Sequence, residues 1–281
     1  MRIVFLYLLN CFLVACSIAP TAMPVAMPTS TASITPSPLS TETFLTSTTS
    51  LPTLLVKDAK AHVKQLMKDN GGCSLPCWWG IIPGQTSWDD ARAFLQSIDP
   101  TFDSAATPSH YSFAYQIDSP GYPISAEFDV DGLGIVKKIS VSQTAFPFDL
   151  AEFLAMVGKP DRVFLQVYPF TTDGVPPFVV LLIYEDLHLV AQFVTGATLH
   201  DSNVVGCPDQ SKPSLTLYAP SIEVAAELEQ KFELERSEGS VPYRLLDEST
   251  KMDIDSFYQV FTNSNDANCI ETPAEQWNVK Q

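Results

Sequence analysis

The sequence predicts an α+β protein, an antiparallel sheet with helices packed on one face, in which a helix–meander unit occurs twice. Three observations predict it. Stretches with apolar residues at helical spacing give way to groups of stretches with period two. The order helix, then glycine and proline, then a meander of strands occurs once before residue 145 and again after it. With 46% hydrophobic and 11% aromatic residues, the chain has the material for a sizeable core.

Each element has its own signal. Over Leu54 to Asp69, Leu55, Ala59, Val63 and Leu66 share one face, Lys57, Lys60, Lys64 and Lys68 lie off it, and Gly71-Gly72 ends the helix. Thr86 with Asp89, or Ser87 with Asp90, forms a capping box opening a helix through Asp89 to Ile98, whose buried stripe is Ala91, Phe94, Leu95 and Ile98. Tyr111 to Ile117, Ile124 to Val130 and Ile135 to Gln143 read as strands, the last two joined at Asp131-Gly132. A helix from Leu150 to Val157 ends at Gly158-Lys159-Pro160, and strands follow at Val163 to Tyr168, Phe178 to Tyr184 and Leu189 to Phe193. Ser214 to Ala219 is a further strand. Ser221 caps a helix through Phe232 that turns Val224, Ala225 and Leu228 inward, and Asp253 to Phe261 is the last helix.

The amino terminus is different in kind. Arg2 precedes an apolar run from Ile3 to Leu13, too short to span a bilayer, which takes about 20 residues. The run ends in Leu13-Val14-Ala15-Cys16, which resembles the lipobox of bacterial lipoproteins. That resemblance implies that residues 1–15 are a cleaved signal peptide, that Cys16 takes up the acyl groups, and that the protein is held on the extracytoplasmic side of a bacterial membrane. Thiolate nucleophilicity is why the position needs a cysteine, and several buried acyl chains would anchor it stably. Residues 16–53 are almost entirely Ser, Thr, Pro, Ala and Met, with Glu42 as the lone charge. Such a composition favours a disordered tether, roughly 35 Å long as a coil and about 115 Å if fully polyproline-like. The globular domain is expected over 54–281.

Turns of the form P-G-x-T before a helix and G-x-P after one, here Pro83-Gly84-Gln85-Thr86 and Gly158-Lys159-Pro160, resemble the small outer-membrane-assembly lipoproteins of the BamE/SmpA type and the related β-lactamase-inhibitor-protein fold. The latter implies a duplicated unit. The segment C-S-L-P-C-W-W-G-I-I-P-G-Q-T from Cys73 to Thr86 resembles a segment of uncharacterised bacterial lipoproteins. It is absent, with the long C-terminal extension, from the BamE-type unit.

Four cysteines remain in the domain, Cys73, Cys77, Cys207 and Cys269, and an even number in an oxidising compartment reads as two disulfides. Cys73–Cys77 with Cys207–Cys269 is the favoured pairing. C-x₃-C lacks the spacing and setting of a redox C-x-x-C, and no His stands at zinc-ligand spacing from either pair. Trp78 and Trp79 are the binding candidates. Adjacent residues of an extended chain point to opposite sides, which would leave one ring on the surface; the alternative packs both into the core beside the disulfide.

Composition excludes other classes. A formal net charge of −16 gives no electrostatic basis for nucleic-acid binding. Asp129 to Gly134 has the look of a Ca²⁺ loop but lacks the third carboxylate and the distal Glu, so a hairpin turn explains it. His62, His110, His188 and His200 are scattered, and no nucleophile-elbow, Walker or dinucleotide motif occurs. No cofactor, metal or catalytic residue is expected. The expectation is a non-enzymatic module that binds an envelope protein or polysaccharide; the rival readings are an extracytoplasmic hydrolase with a site assembled from distant residues, and a structural envelope component.

Overall fold

The computed structural model describes residues 55–102, 109–117, 122–169, 175–263 and 268–278. The expected signal peptide, Cys16 and the tether lie outside them. The chain divides between Thr48 and Thr49, and everything below belongs to the C-terminal unit.

Helices α1 (Val56–Asp69) and α2 (Trp88–Ile98) precede a meander of β1 (His110–Tyr115), β2 (Ile124–Val130) and β3 (Val136–Val141). Helix α3 (Leu150–Val157) precedes a second meander, β4 (Arg162–Val167), β5 (Pro177–Tyr184) and β6 (Leu189–His200). Then come β7 (Asn203–Gly206), β8 (Pro213–Tyr218), α4 (Val224–Ser237), β9 (Arg244–Leu245), α5 (Leu246–Ser249), α6 (Ile254–Asn263) and β10 (Ile270–Pro273). The main sheet runs β1-β2-β3-β8-β6-β5-β4-β9, with every neighbouring pair antiparallel. The far half of β6 leaves this order to pair with β7, which pairs with β10. The α+β class with an antiparallel sheet therefore holds.

Residues paired across an antiparallel ladder share a face. One such row crosses the sheet through Tyr111, Phe128, Ile139, Leu217, Leu189 and Tyr184. This apolar face is covered by Ala59, Val63 and Leu66 of α1, Ala91, Leu95 and Ile98 of α2, Leu150, Phe153 and Leu154 of α3, and Phe257 and Phe261 of α6, all buried. The opposite face changes character along its length. The row Ser112, Glu127, Ser140, Thr216 continues into Val190 and Ile183.

Placing every helix on one face is corrected here. Val224 and Leu228 of α4 are buried against Leu181, Ile183, Val190 and Tyr218 on the second face. The reason is legible in β5, whose run Phe-Val-Val-Leu-Leu-Ile-Tyr is apolar on both sides and so needs a cover on each.

The order of a helix followed by a three-stranded meander recurs, as α2 with β1–β3 and α3 with β4–β6. Strand β8 is antiparallel to both β3 and β6, so those two strands run parallel to each other while the meanders approach β8 from opposite sides. Their helices share one face. The two meanders thus run across the sheet in opposite directions and meet at β8.

Local capping chemistry explains the helix ends. Ser87, not Thr86, caps α2, accepting from the Asp90 amide at 3.1 Å; Thr86 instead accepts from the Ile82 amide at 2.8 Å and closes the turn before it. Asp149 and Glu152 form a full capping box on α3. Helix α4 begins three residues after Ser221, whose hydroxyl meets Lys137 at 3.4 Å instead of capping it, and runs on to Ser237. Leu55, expected in the α1 stripe, precedes the first helical turn and is 75% exposed.

A candidate binding cleft beside the disulfide loop

The site begins with one asparagine. Helix α1 ends at Asn70, which takes the left-handed conformation (φ 54°) and returns its amide to the Leu66 carbonyl. Asparagine tolerates that conformation because its short side chain bonds locally. The Asn70 carboxamide donates to the carbonyls of Cys73 (3.0 Å) and Cys77 (2.7 Å) and accepts from the Trp79 amide (3.1 Å). These bonds and the Cys73–Cys77 disulfide hold one short loop at both ends. Cys207 and Cys269 form the second disulfide, tying the end of β7 to the segment before β10. Both pairings are those expected, and both suit an oxidising compartment.

Trp78 and Trp79 are both buried, at 0% and 4% exposure. Period-two reasoning fails at this position because the chain is not extended there. Trp78 and Ile81 exchange their backbone hydrogen bonds around Trp79 and Gly80, whose φ values of 53° and 85° make a primed two-residue turn. That turn folds the Trp79 ring back onto Trp78, the two stacking at 4.2 Å between centroids with 16° between planes. Phe128 packs on Trp78, and Phe113 meets Trp79 edge-on. Neither ring is a free surface anchor. Trp79, however, also forms part of a cleft wall.

The cleft has a volume of about 470 Å³, within the range of small-molecule sites, roughly 300–1,000 Å³. One wall is the carboxyl end of α1 with the disulfide loop, from Leu66 to Leu75. The other is Phe146 and Phe148 before α3, Met156 and Val157 at its end, and Leu187 in the turn between β5 and β6. Its polar side chains, Lys68, Asp69, Asn70 and Ser74, all lie on the α1 wall. Asn70 is fully engaged. Asp69 accepts from Gln65 at 2.6 Å and from the Gly71 amide at 3.0 Å, bonds that hold its carboxyl below the ordinary carboxylate range, the Gln65 bond foremost. Sequence reasoning reached Trp79 and the disulfide, and missed Asn70, Met67, Met156, Phe146 and Phe148. Asn70-Gly71-Gly72 after a helix was the available signal for a left-handed cap; the others come from separate stretches that only the sheet brings together.

The second face carries a polar cluster. His110 Nδ1 lies 2.6 Å from Asp129 Oδ1, and Lys138 bonds the other oxygen of the same carboxylate. Partial burial opposes ionisation of Asp129, but the bonds from His110 and Lys138 outweigh it and hold the carboxyl below its usual range. Asp131 accepts from the amides of Leu133 and Ile135 and so closes the β2–β3 hairpin, the turn reading of that segment. Among the described residues no three His, Cys, Asp or Glu side chains gather as metal ligands, and no helix is long and apolar enough to cross a membrane.

Fold and cleft together define an α+β domain with one antiparallel sheet and an apolar cleft walled by a disulfide loop. No family model and no curated protein matches the chain. Among solved structures it is similar to a DUF4309 family protein (YjgB) from Bacillus subtilis subsp. subtilis str. 168, at 15% identity and a TM-score of 0.32, over 58% of this chain and 99% of that one. A likeness that low carries no argument about function.

Proposed function

We propose that the chain is a lipid-anchored, extracytoplasmic binding module, without enzymatic activity, that captures an apolar envelope component in the cleft beside Trp79. In this reading residues 1–15 are removed on export, acylated Cys16 holds the protein on the membrane, and residues 16–53 carry the domain away from the surface. The observation that carries it is the construction of the cleft. Asn70 and a disulfide hold one wall rigid, while the side chains facing it, Phe148, Met156 and Leu187, make no demand for hydrogen bonds. A preorganised wall limits the ordering cost of binding. The apolar lining favours an apolar ligand over the polysaccharide that the sequence left open.

A photocrosslinking side chain placed at the exposed Met156, in cells producing the full chain, tests the reading together with mass spectrometry of the amino terminus. The expected outcome is a discrete crosslinked species, lost on competition by the free ligand, from protein whose first residue is acylated Cys16. Unmodified Cys16, or no crosslinked species at Met156, refutes the proposal.

A further inference from the structure

We infer that the cleft takes a long-chain fatty acid, its alkyl chain along the apolar wall and its carboxylate at Lys68; this rests on the cleft being the binding site. Three features converge. The volume of about 470 Å³ holds on the order of fifteen water-sized groups, and a methylene is of that size, so the cleft matches one unbranched chain. Met67 and Met156, from separate elements, line the cleft together with Leu75, Phe148 and Leu187, and flexible thioethers adapt to an articulated chain without fixing its shape.

The third feature is charge. Of the polar side chains in the lining, Asn70 and Asp69 are committed to the loop. That leaves the Lys68 ammonium and the Ser74 hydroxyl, both donors, on the same wall. Among the described residues Lys68 makes no ion pair, while the chain as a whole carries a net charge of −16. The charge of Lys68 also acts on the neighbouring Asp69 carboxylate; an ammonium and a hydroxyl beside an apolar slot together suit the single carboxylate of an amphiphile.

The test uses the full chain carrying Cys16→Ser, purified without detergent and titrated with dibromostearate, whose bromines quench nearby indole emission. Trp79 in the cleft wall reports the bound chain. The expected result is saturable quenching at one equivalent, weakened about tenfold by Lys68→Glu and abolished by Met156→Asp. Both substituted side chains are exposed, so neither variant disturbs the core. Equal affinity for dodecyltrimethylammonium or lysophosphatidylcholine, or quenching indifferent to both substitutions, overturns the assignment. If stearate fails while the Met156 crosslink persists, the ligand class is wrong and the cleft stands. If both fail, the binding reading falls with it.

Discussion

Asn70 does more than any other single side chain to shape the cleft, and its role is conformational before it is chemical. Only a residue that tolerates φ 54° can end α1 there, and only a carboxamide can donate to Cys73 and Cys77 while accepting from Trp79. Asn70→Ala is expected to cost about 2 kcal/mol in urea unfolding, with a red-shifted tryptophan emission as the Trp78–Trp79 stack loosens. Asn70→Asp keeps the acceptor and loses both donor bonds, so it should fall with the alanine variant and not with wild type. Asp129 makes a pH-dependent contribution. Its folded carboxyl is depressed by His110 and Lys138, so the stability it adds is complete above the ordinary carboxylate value of about 4 and is lost as pH falls through the folded value. Urea midpoints measured from about pH 6 downward should decline below about pH 4, and less steeply in Asp129→Asn.

At the scale of elements, the sequence reveals periodicity well and hides the partner of each face. β2, α3 and most of β5 stand where their apolar spacing puts them. The apolar alternation marks β6 only from Leu189 to Phe193, yet the strand continues to His200: Gly196 pairs with Pro177, and the residues beyond it pair with β7. The stripe of α4 was legible, but not which sheet face receives it, since that depends on β5 and β6 being apolar on both sides. β7 and β10 were missed because four-residue strands carry too few alternations to rise above loop composition. Gly206 marks where they join the core: a Cβ there would overlap the Phe178 ring. Gly206→Ala is expected to cost about 1–3 kcal/mol, read as a lowered urea midpoint; pairing it with Phe178→Leu should recover part of the loss if the overlap is the cause.

For the whole molecule, the two disulfides act on different lengths of chain. Cys73–Cys77 spans 4 residues and Cys207–Cys269 spans 62. On the chain-entropy account the long link contributes about 4 kcal/mol and the short one about 2. Replacing Cys207 and Cys269 together by Ser should therefore lower the unfolding free energy by more than replacing Cys73 and Cys77. The short link should show itself also in the cleft, as weaker ligand capture alongside the smaller fall in midpoint. The pairing and the α+β class were legible in residue types and spacing; the cleft was not, because its walls lie some eighty residues apart in the chain and meet only through the sheet.

The position of β8 has a consequence for how such a chain must be made. It is the seam of the sheet, yet it arrives after both meanders, and until residue 218 emerges β3 and β6 each present a bare row of amides and carbonyls. A protein threaded outward from its amino terminus would pass through a stage with two half-sheets, both open to the wrong neighbour. A truncation before Pro213 should therefore aggregate, whereas a chain that retains β8 can close the gap within itself.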